Sequence, residues 1–151
     1  KGYAVDRAAE ILKSGKVEKA FINAGGEIKT IGEWVIGIQH PRSLEEIAAQ
    51  IKVKNKAVST SGDYEKYFTV DGKRYHHILN PQTGKPAEEC RSVTVVADDV
   101  LIADALSTAV FVMGPEAGKS FIDSLKSIDA IIIDKNGNLI YSNRANQYLI
   151  H

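Results

Sequence analysis

The stretch Ala103-Asp104-Ala105-Leu106-Ser107-Thr108-Ala109 concentrates oxygen donors. On a helix, Asp104 adjoins Ser107 at i+3 and Thr108 at i+4, so a carboxylate and two hydroxyls share one face. That is a hard oxygen set, suited to Mg2+ or Ca2+ and not to zinc. The plain alternative is a partly exposed Asp beside hydroxyls that bond back to the helix backbone. On this helix alone, the plain alternative is the commoner arrangement. In Tyr75-His76-His77-Ile78-Leu79-Asn80-Pro81-Gln82-Thr83-Gly84 a histidine leaves a strand just before a loop shaped by Pro and Gly. Binding and catalytic groups often sit on such loops. Neighbours on a strand face opposite ways, so only one of His76 and His77 should enter a site. A surface histidine pair at a strand end is the competing reading. Asn23-Ala24-Gly25-Gly26-Glu27 can bring backbone close to a ligand or simply make a tight turn. It is not GxGxxG and no helix follows, which excludes a Rossmann site. In Ser59-Thr60-Ser61-Gly62-Asp63-Tyr64, small hydroxyls beside Gly62 can donate to a phosphate or ribose, or form a turn that ends a strand.

The elements that must position these residues can be read from periodicity. Residues 3–14 read as a helix with Ala4, Ala8, Ile11 and Leu12 on one face and a stop at Gly15. Strands are expected over 19–24, 27–31 and 34–39, with Gly32-Glu33 as the turn between the last two. Residues 40–42 read as a loop. Segments 47–53 and 57–60 read as strands, although 44–50 has helical propensity. Strands 68–70 and 73–78 flank Asp71-Gly72, the strongest hairpin signal present. Residues 79–89 form a loop held by Pro81, Gly84 and Pro86. The β-branched run 91–97 is a buried strand. Asp98 or Asp99 caps a helix to Met113, whose Leu106, Val110 and Met113 mark it as largely buried. Gly114-Pro115 breaks it, and Pro115 opens another helix through Lys126. Segments 130–134 and 139–142 form a hairpin around Asn136-Gly137, and the tail is polar. Strands that join as hairpins, with helices in separate blocks, predict an α+β fold with a largely antiparallel sheet.

Composition narrows the function classes. The chain has 151 residues, 44% hydrophobic and 25% charged, as expected for one globular domain with a real core. Lys+Arg and Asp+Glu both number 19, so no net charge points to nucleic acid or an anionic surface. No apolar run reaches the roughly 18 residues a membrane helix needs. The single cysteine, Cys90, rules out an internal disulfide and a clustered thiolate metal site. This cysteine use suits either a cytosolic or an extracytoplasmic setting. The first residue is Lys1, with no methionine or signal sequence ahead of it, so the chain is expected to be a fragment or processed product.

The order of the motifs carries more information than any one of them. Lys1-Gly2-Tyr3-Ala4-Val5-Asp6 comes first, then Asn23-Ala24-Gly25-Gly26-Glu27 and Thr60-Ser61-Gly62-Asp63-Tyr64. His77-Ile78-Leu79-Asn80-Pro81 with Thr83-Gly84 and Pro86 follows, and Asp104-Ala105-Leu106-Ser107-Thr108-Ala109 closes the series. In this the chain resembles the FAD:protein FMN transferase family, also called ApbE or flavin-trafficking proteins. The resemblance runs from Lys1 to about Gly118 and extends toward the end.

The resemblance implies an ApbE-like, T-fold-like α+β architecture, with residues 1–151 as the C-terminal portion of a flavin transferase domain. It implies Mg2+ as cofactor and FAD as substrate. The FMN half would pass to a Thr or Ser hydroxyl of an acceptor, with release of AMP. The acceptor implied is a flavin-carrying subunit of a bacterial membrane redox complex. An extracytoplasmic location as an inner-membrane lipoprotein goes with it. By position, Asp104 and Thr108 match the family's metal ligands, and Ser107 matches a position that is often Asp. Lys1 and Ile78 match FAD contacts, the latter through backbone. Gly25 and Gly26 fall where the flavin site is lined, and His77 matches the histidine tied to transfer. His76 stands where a spacer residue is usual. Part of the metal site and of the FAD contacts would come from upstream or from a separate N-terminal chain. The alternatives are an FAD pyrophosphatase with water as acceptor, or a catalytically silent flavin-binding fragment.

Overall fold

The computed structural model describes residues 1–43 and 45–150. Helix α1 (Gly2–Ser14) precedes the hairpin of β1 (Ala20–Ala24) and β2 (Glu27–Ile31). Next come β3 (Glu33–Gln39), β4 (Ile47–Lys54), β5 (Ala57–Gly62), β6 (Tyr67–Val70) and β7 (Lys73–His76). Strand β8 (Cys90–Ala97) leads into α2 (Val100–Met113) and α3 (Pro115–Ser124). The chain finishes with β9 (Asp129–Asp134), β10 (Leu139–Tyr141) and a short 3-10 helix, Ala145–Tyr148. The main sheet has six strands in the order β1-β2-β5-β8-β9-β10, and every pairing in it is antiparallel. Strand pairs β3–β4 and β6–β7 form separate two-stranded ribbons. The fold is α+β, as predicted. Among the described residues, no helix is long and apolar enough to cross a membrane.

The sheet is buried on both faces. On one face Val93, Val95 and Ala97 of β8 and Ala130 and Ile132 of β9 pack against Val5, Val110, Phe111 and Ile122 of the helices. On the other, the alternate residues Val96 and Ile131 meet Ile36, Ile38, Ile51 and Val53 of the β3–β4 ribbon. Double burial explains why β8 and β9 read as unbroken apolar runs and not as alternating ones.

Some expectations need correction, and for 47–50 the strand reading holds over the helical alternative. Gly32-Glu33 is not a hairpin turn: β2 pairs with β1 and β5, while β3 pairs with β4. Gly32, at φ +77°, instead turns a corner from one sheet to the other, and its N–H is tied to Asn55 Oδ1 at 2.7 Å. The alternation in 27–39 spoke for two strands but not for their partners. Residues 47–50 are strand, because Ile51 and Val53 must face the second core; Leu44, where the helical alternative began, lies outside the described residues. The inward face of α1 is Gly2, Val5 and Ala9, whereas Ile11 is 68% exposed. Met113 on α2 is likewise exposed. Asp99 occupies the N-cap position of α2, but its side chain makes no cap hydrogen bond. Asp6 of α1 supplies it instead: its Oδ1 and Oδ2 accept from the N–H groups of Val100 and Leu101, both at 2.9 Å.

Close packing permits that cap. A β-carbon on Gly2 would stand 2.7 Å from Val100 O and 2.8 Å from Leu101 Cα, so only glycine lets α1 cross here. A carboxylate holding two otherwise orphaned N–H groups at a helix N-terminus is worth roughly 1–2 kcal/mol. Asp6→Ala is expected to lower unfolding free energy by about that amount in urea melts. A change below a few tenths would place the cap elsewhere. Cys90 is 2% exposed, and burial pushes its thiol up to about 12. It is therefore protonated at pH 8, and a thiol reagent should label it only after denaturation.

Candidate active site

Each end of β5 borders a cleft. The wider one, about 620 Å³, adjoins Lys56 and is lined by basic residues such as Lys54, Lys126 and Arg144. It holds none of the motif residues. The other, about 250 Å³, lies at the Thr60-Ser61-Gly62 end and gathers Lys1, Gly25, Glu27, His77, Asp104 and Thr108. Residues distant in sequence meet there, so this cleft is the candidate.

The turn between β1 and β2 forms one wall. Gly25 (φ +66°) and Gly26 (φ +101°) join the paired residues Ala24 and Glu27. Two successive positive φ values make the turn a primed one, which strongly favours glycine. Asn23 Oδ1 accepts from Gly26 N–H at 2.9 Å and fixes it. Gly25 faces the cleft, whereas Gly26 lines an adjacent cavity with Tyr64 and Glu65. The turn reading and the ligand reading of this motif are therefore compatible.

Lys1 precedes α1 and reaches over the turn. Its Nζ lies 2.8 Å from Glu27 Oε2 and 3.5 Å from Gly25 O. Glu27 is 5% exposed. Its Oε2 meets the ammonium off the axis of an aligned hydrogen bond and has no other polar partner. The pairing with Glu27 raises the Lys1 pKa above the ordinary lysine value, against a smaller effect of burial. The cleft thus holds a fixed cation beside a buried anion.

Helix α2 supplies the oxygen donors, and they do not all point one way. Asp104 Oδ2 accepts from Gly2 N–H at 3.0 Å, and the side chain is 34% exposed. Thr108 Oγ1 lies 2.9 Å from Ser61 Oγ. Ser107 is fully buried: its hydroxyl donates to Asp104 O at 3.0 Å and lies 2.9 Å from Ser61 Oγ. Ser107 therefore fastens α2 to β5, while Asp104 and Thr108 line the cleft. Among the described residues no three His, Cys, Asp or Glu side chains cluster closely enough to hold a metal. One carboxylate and one hydroxyl on an open wall form a partial set. That set fits Mg2+, which is commonly held by one or two carboxylates with substrate phosphates and water completing its shell.

The β6–β7 ribbon brings in the histidine. His77 is exposed and lines the cleft. Its backbone N–H and its Nδ1 both lie 3.2 Å from Lys66 O. A carbonyl only accepts, so Nδ1 carries the proton and Nε2 is left as the basic nitrogen of the neutral ring. Ile78 is 5% exposed in the main core and does not line the cleft; its backbone N–H and C=O bond to His76 and Ala87. Glu27, Ser61, Glu65 and Lys66 were not singled out as site residues from sequence, although Ser61 lies within a hydroxyl motif. Glu27 offered one signal: an acid at an inward-facing position of a strand that begins right after a tight turn.

Comparison with known proteins identifies the family. The ApbE family model matches residues 1–132. The chain is 42% identical over 144 residues to the FAD:protein FMN transferase of Klebsiella pneumoniae (strain 342), covering 94% of this chain and 46% of that protein. It is 34% identical over 145 residues to the Escherichia coli (strain K12) protein of the same name, covering 91% of this chain and 41% of that one. The ApbE protein of Thermotoga maritima superposes with a TM-score of 0.90 at 40% identity, over 99% of this chain and 51% of its own. For the flavin transferase ApbE of Vibrio cholerae the TM-score is 0.84 at 34% identity, over 99% and 50%. The chain spans about half the length of these relatives. Extended sequence identity and a common backbone across nearly every described residue make this chain a member of the ApbE family.

Proposed function

We propose that this chain is the C-terminal portion of an Mg2+-dependent FAD:protein FMN transferase. It would move the FMN half of FAD to a Thr or Ser hydroxyl of an acceptor flavoprotein and release AMP. The acceptor is a flavin-carrying subunit of a membrane redox complex, met on the extracytoplasmic side. The observation that carries this reading is the convergence of Lys1, Gly25, His77, Asp104 and Thr108 on one cleft. Family membership supports it, since relatives at 42% and 34% identity bear that name.

The residues have separable tasks. Asp104 and Thr108 would hold Mg2+, which supplies Lewis-acid neutralisation of charge on the pyrophosphate. Lys1 places a fixed positive charge near Gly25, where an anionic substrate group can meet it. Gly25 lets the ligand approach backbone in the cleft without meeting a β-carbon, and Gly26 completes the turn that presents it. Ser107 and Ser61 hold Asp104 and Thr108 against the sheet. His77 Nε2 takes the proton of the acceptor hydroxyl as its oxygen bonds to the FMN-side phosphorus. The bond from that phosphorus to the bridging oxygen breaks, and AMP leaves with the oxygen.

Asp104→Ala in the full-length protein is expected to abolish Mg2+-dependent transfer, a loss above about 100-fold. The readout is protein-bound flavin fluorescence together with AMP release; unchanged transfer would sink the metal assignment. AMP and free FMN without protein-bound flavin would instead favour the pyrophosphatase reading. His77→Ala at saturating FAD should slow single-turnover transfer by about 100-fold or more, the usual worth of a positioned base. Wild-type single-turnover rates would remove His77 from the proton transfer.

A further inference from the structure

The proposed chemistry gives His76 no task, and the cleft does not contain it. Strand β7 ends at His76, whose ring turns away from the cleft into the protein. The residue is 8% exposed and stands edge-on to Phe111 of α2, with ring centroids 5.5 Å apart at 79°. Both of its nitrogens are engaged by backbone. Nε2 lies 2.9 Å from Ala87 O, which only accepts, so this nitrogen carries the proton. Nδ1 accepts from Ile78 N–H at 3.3 Å. His76 and His77 therefore sit side by side in opposite neutral tautomers.

What these bonds join is specific. Ile78 follows His77 directly, and Ala87 lies near the far end of the loop of residues 79–89. Ala87 N–H also donates to Ile78 O at 3.0 Å. The imidazole, Ile78 and Ala87 thus close a small ring of hydrogen bonds just beyond the last strand residue. Beyond it Leu79 bridges Pro86 and Asn80 N–H donates to Lys85 O at 2.8 Å, so the imidazole joins the first rung of a short pairing that starts right after His77. The other anchor of His77 is Lys66 O on the facing strand end.

The surroundings favour the neutral ring. Two acids face His76, Asp63 and Glu88, and both are already paired. Asp63 binds Arg42 at 2.6 Å and Arg74 at 3.4 Å, and Glu88 binds Lys73 at 2.8 Å. Arg91 and Lys135 add further positive charge, Cys90 is a neutral thiol, and α2 contributes only Phe111. Burial pushes the His76 pKa below the ordinary value, only partly offset by the Ala87 hydrogen bond and Asp63. An imidazolium has no acceptor nitrogen, so protonation must break the bond from Ile78. The folded-state pKa is depressed, so this stabilisation is complete above the unfolded value and is lost as pH falls through the folded one.

We propose that His76 is a positioning residue for transfer: its neutral imidazole clamps Ile78 to Ala87 and so fixes where His77 sits in the cleft. This rests on the role of His77 given above. A histidine that merely filled space would be replaceable by Phe, which has a ring of similar size and neither polar atom. Gln can present an N–H near the position of Nε2 but has no titrating group.

The test uses the full-length protein with His76→Phe and His76→Gln. Single-turnover transfer at saturating FAD, the FAD Kd and Tm are measured for each. The clamp predicts at least a tenfold loss of transfer rate in His76→Phe with the FAD Kd within about twofold of wild type. It predicts recovery to within about threefold in His76→Gln. A wild-type rate in His76→Phe overturns it, as does a parallel loss of rate and Tm that Gln fails to relieve. Should the Phe variant not fold, the pH–rate profile of His76→Gln decides. The clamp predicts that the second-proton steepening that His76 adds to the acid limb disappears while the remaining fall persists, and a profile superimposing on wild type overturns it. The two failures are told apart. A silent His77→Ala removes the role of His77 and with it the clamp, which acts through His77; a slowed His77→Ala beside a wild-type His76→Phe removes the clamp alone.

Discussion

The site depends on one reciprocal contact between α1 and α2. Each helix ends its neighbour's supply of orphan N–H groups: Asp6 of α1 accepts from Val100 and Leu101, and Asp104 of α2 accepts from Gly2. Both carboxylates lie at helix N-termini, where the peptide dipoles favour negative charge. The exchange requires the close crossing that Gly2 permits. It also fixes Lys1 above Gly25 and Glu27, because Lys1 is the residue just ahead of α1. Asp104 therefore has two duties. Its Oδ2 is engaged by the helix, and Oδ1 has no hydrogen-bond partner among the described residues. In the proposed chemistry that second oxygen is the one free for a metal.

From this contact the rest of the cleft follows through short, stiff links. Thr108 is one helical turn beyond Asp104, and Ser61 ties it to the end of β5. Strand β2 pairs with β5 by registering Glu27 against Ser59, which sets the glycine turn beside the hydroxyls. Asp63, just past β5, hydrogen-bonds backbone of β8 through its N–H and binds Arg74 of β7 through its side chain. The β6–β7 ribbon, which as an isolated hairpin would be marginal, is thereby fastened to the sheet. His77 reaches the cleft because β7 alternates, with His76 inward and His77 outward.

Much of this was legible in the sequence, for identifiable reasons. The helix break at Gly114-Pro115, the Asp71-Gly72 hairpin and the buried runs of β8 and β9 are local signals, and local signals survive folding. The opposite facing of His76 and His77 followed from strand geometry alone. Partners were not legible. Nothing local distinguishes Asp99, which sits at the N-cap position but whose side chain makes no cap hydrogen bond, from Asp6, whose carboxylate caps a helix far along the chain. Gly32 looked like a hairpin turn because alternation reports strands and not which strands pair. Ser107 looked equivalent to Thr108, yet a one-residue step around the helix carries it from the open wall into the sheet. Glu27 offered only its inward position after the turn, because its pairing with Lys1 is tertiary.

The central claim is that α2 offers Asp104 and Thr108 as the protein's ligands to a divalent cation in a cleft that holds FAD. The most direct measurement is anomalous diffraction from crystals of the full-length protein grown with FAD and Mn2+ in place of Mg2+. The account predicts a Mn2+ peak within about 2.5 Å of an Asp104 carboxylate oxygen and the Thr108 hydroxyl, with FAD phosphate oxygens completing the shell. A fully occupied FAD with no peak at α2, or with the metal bound elsewhere, would contradict it.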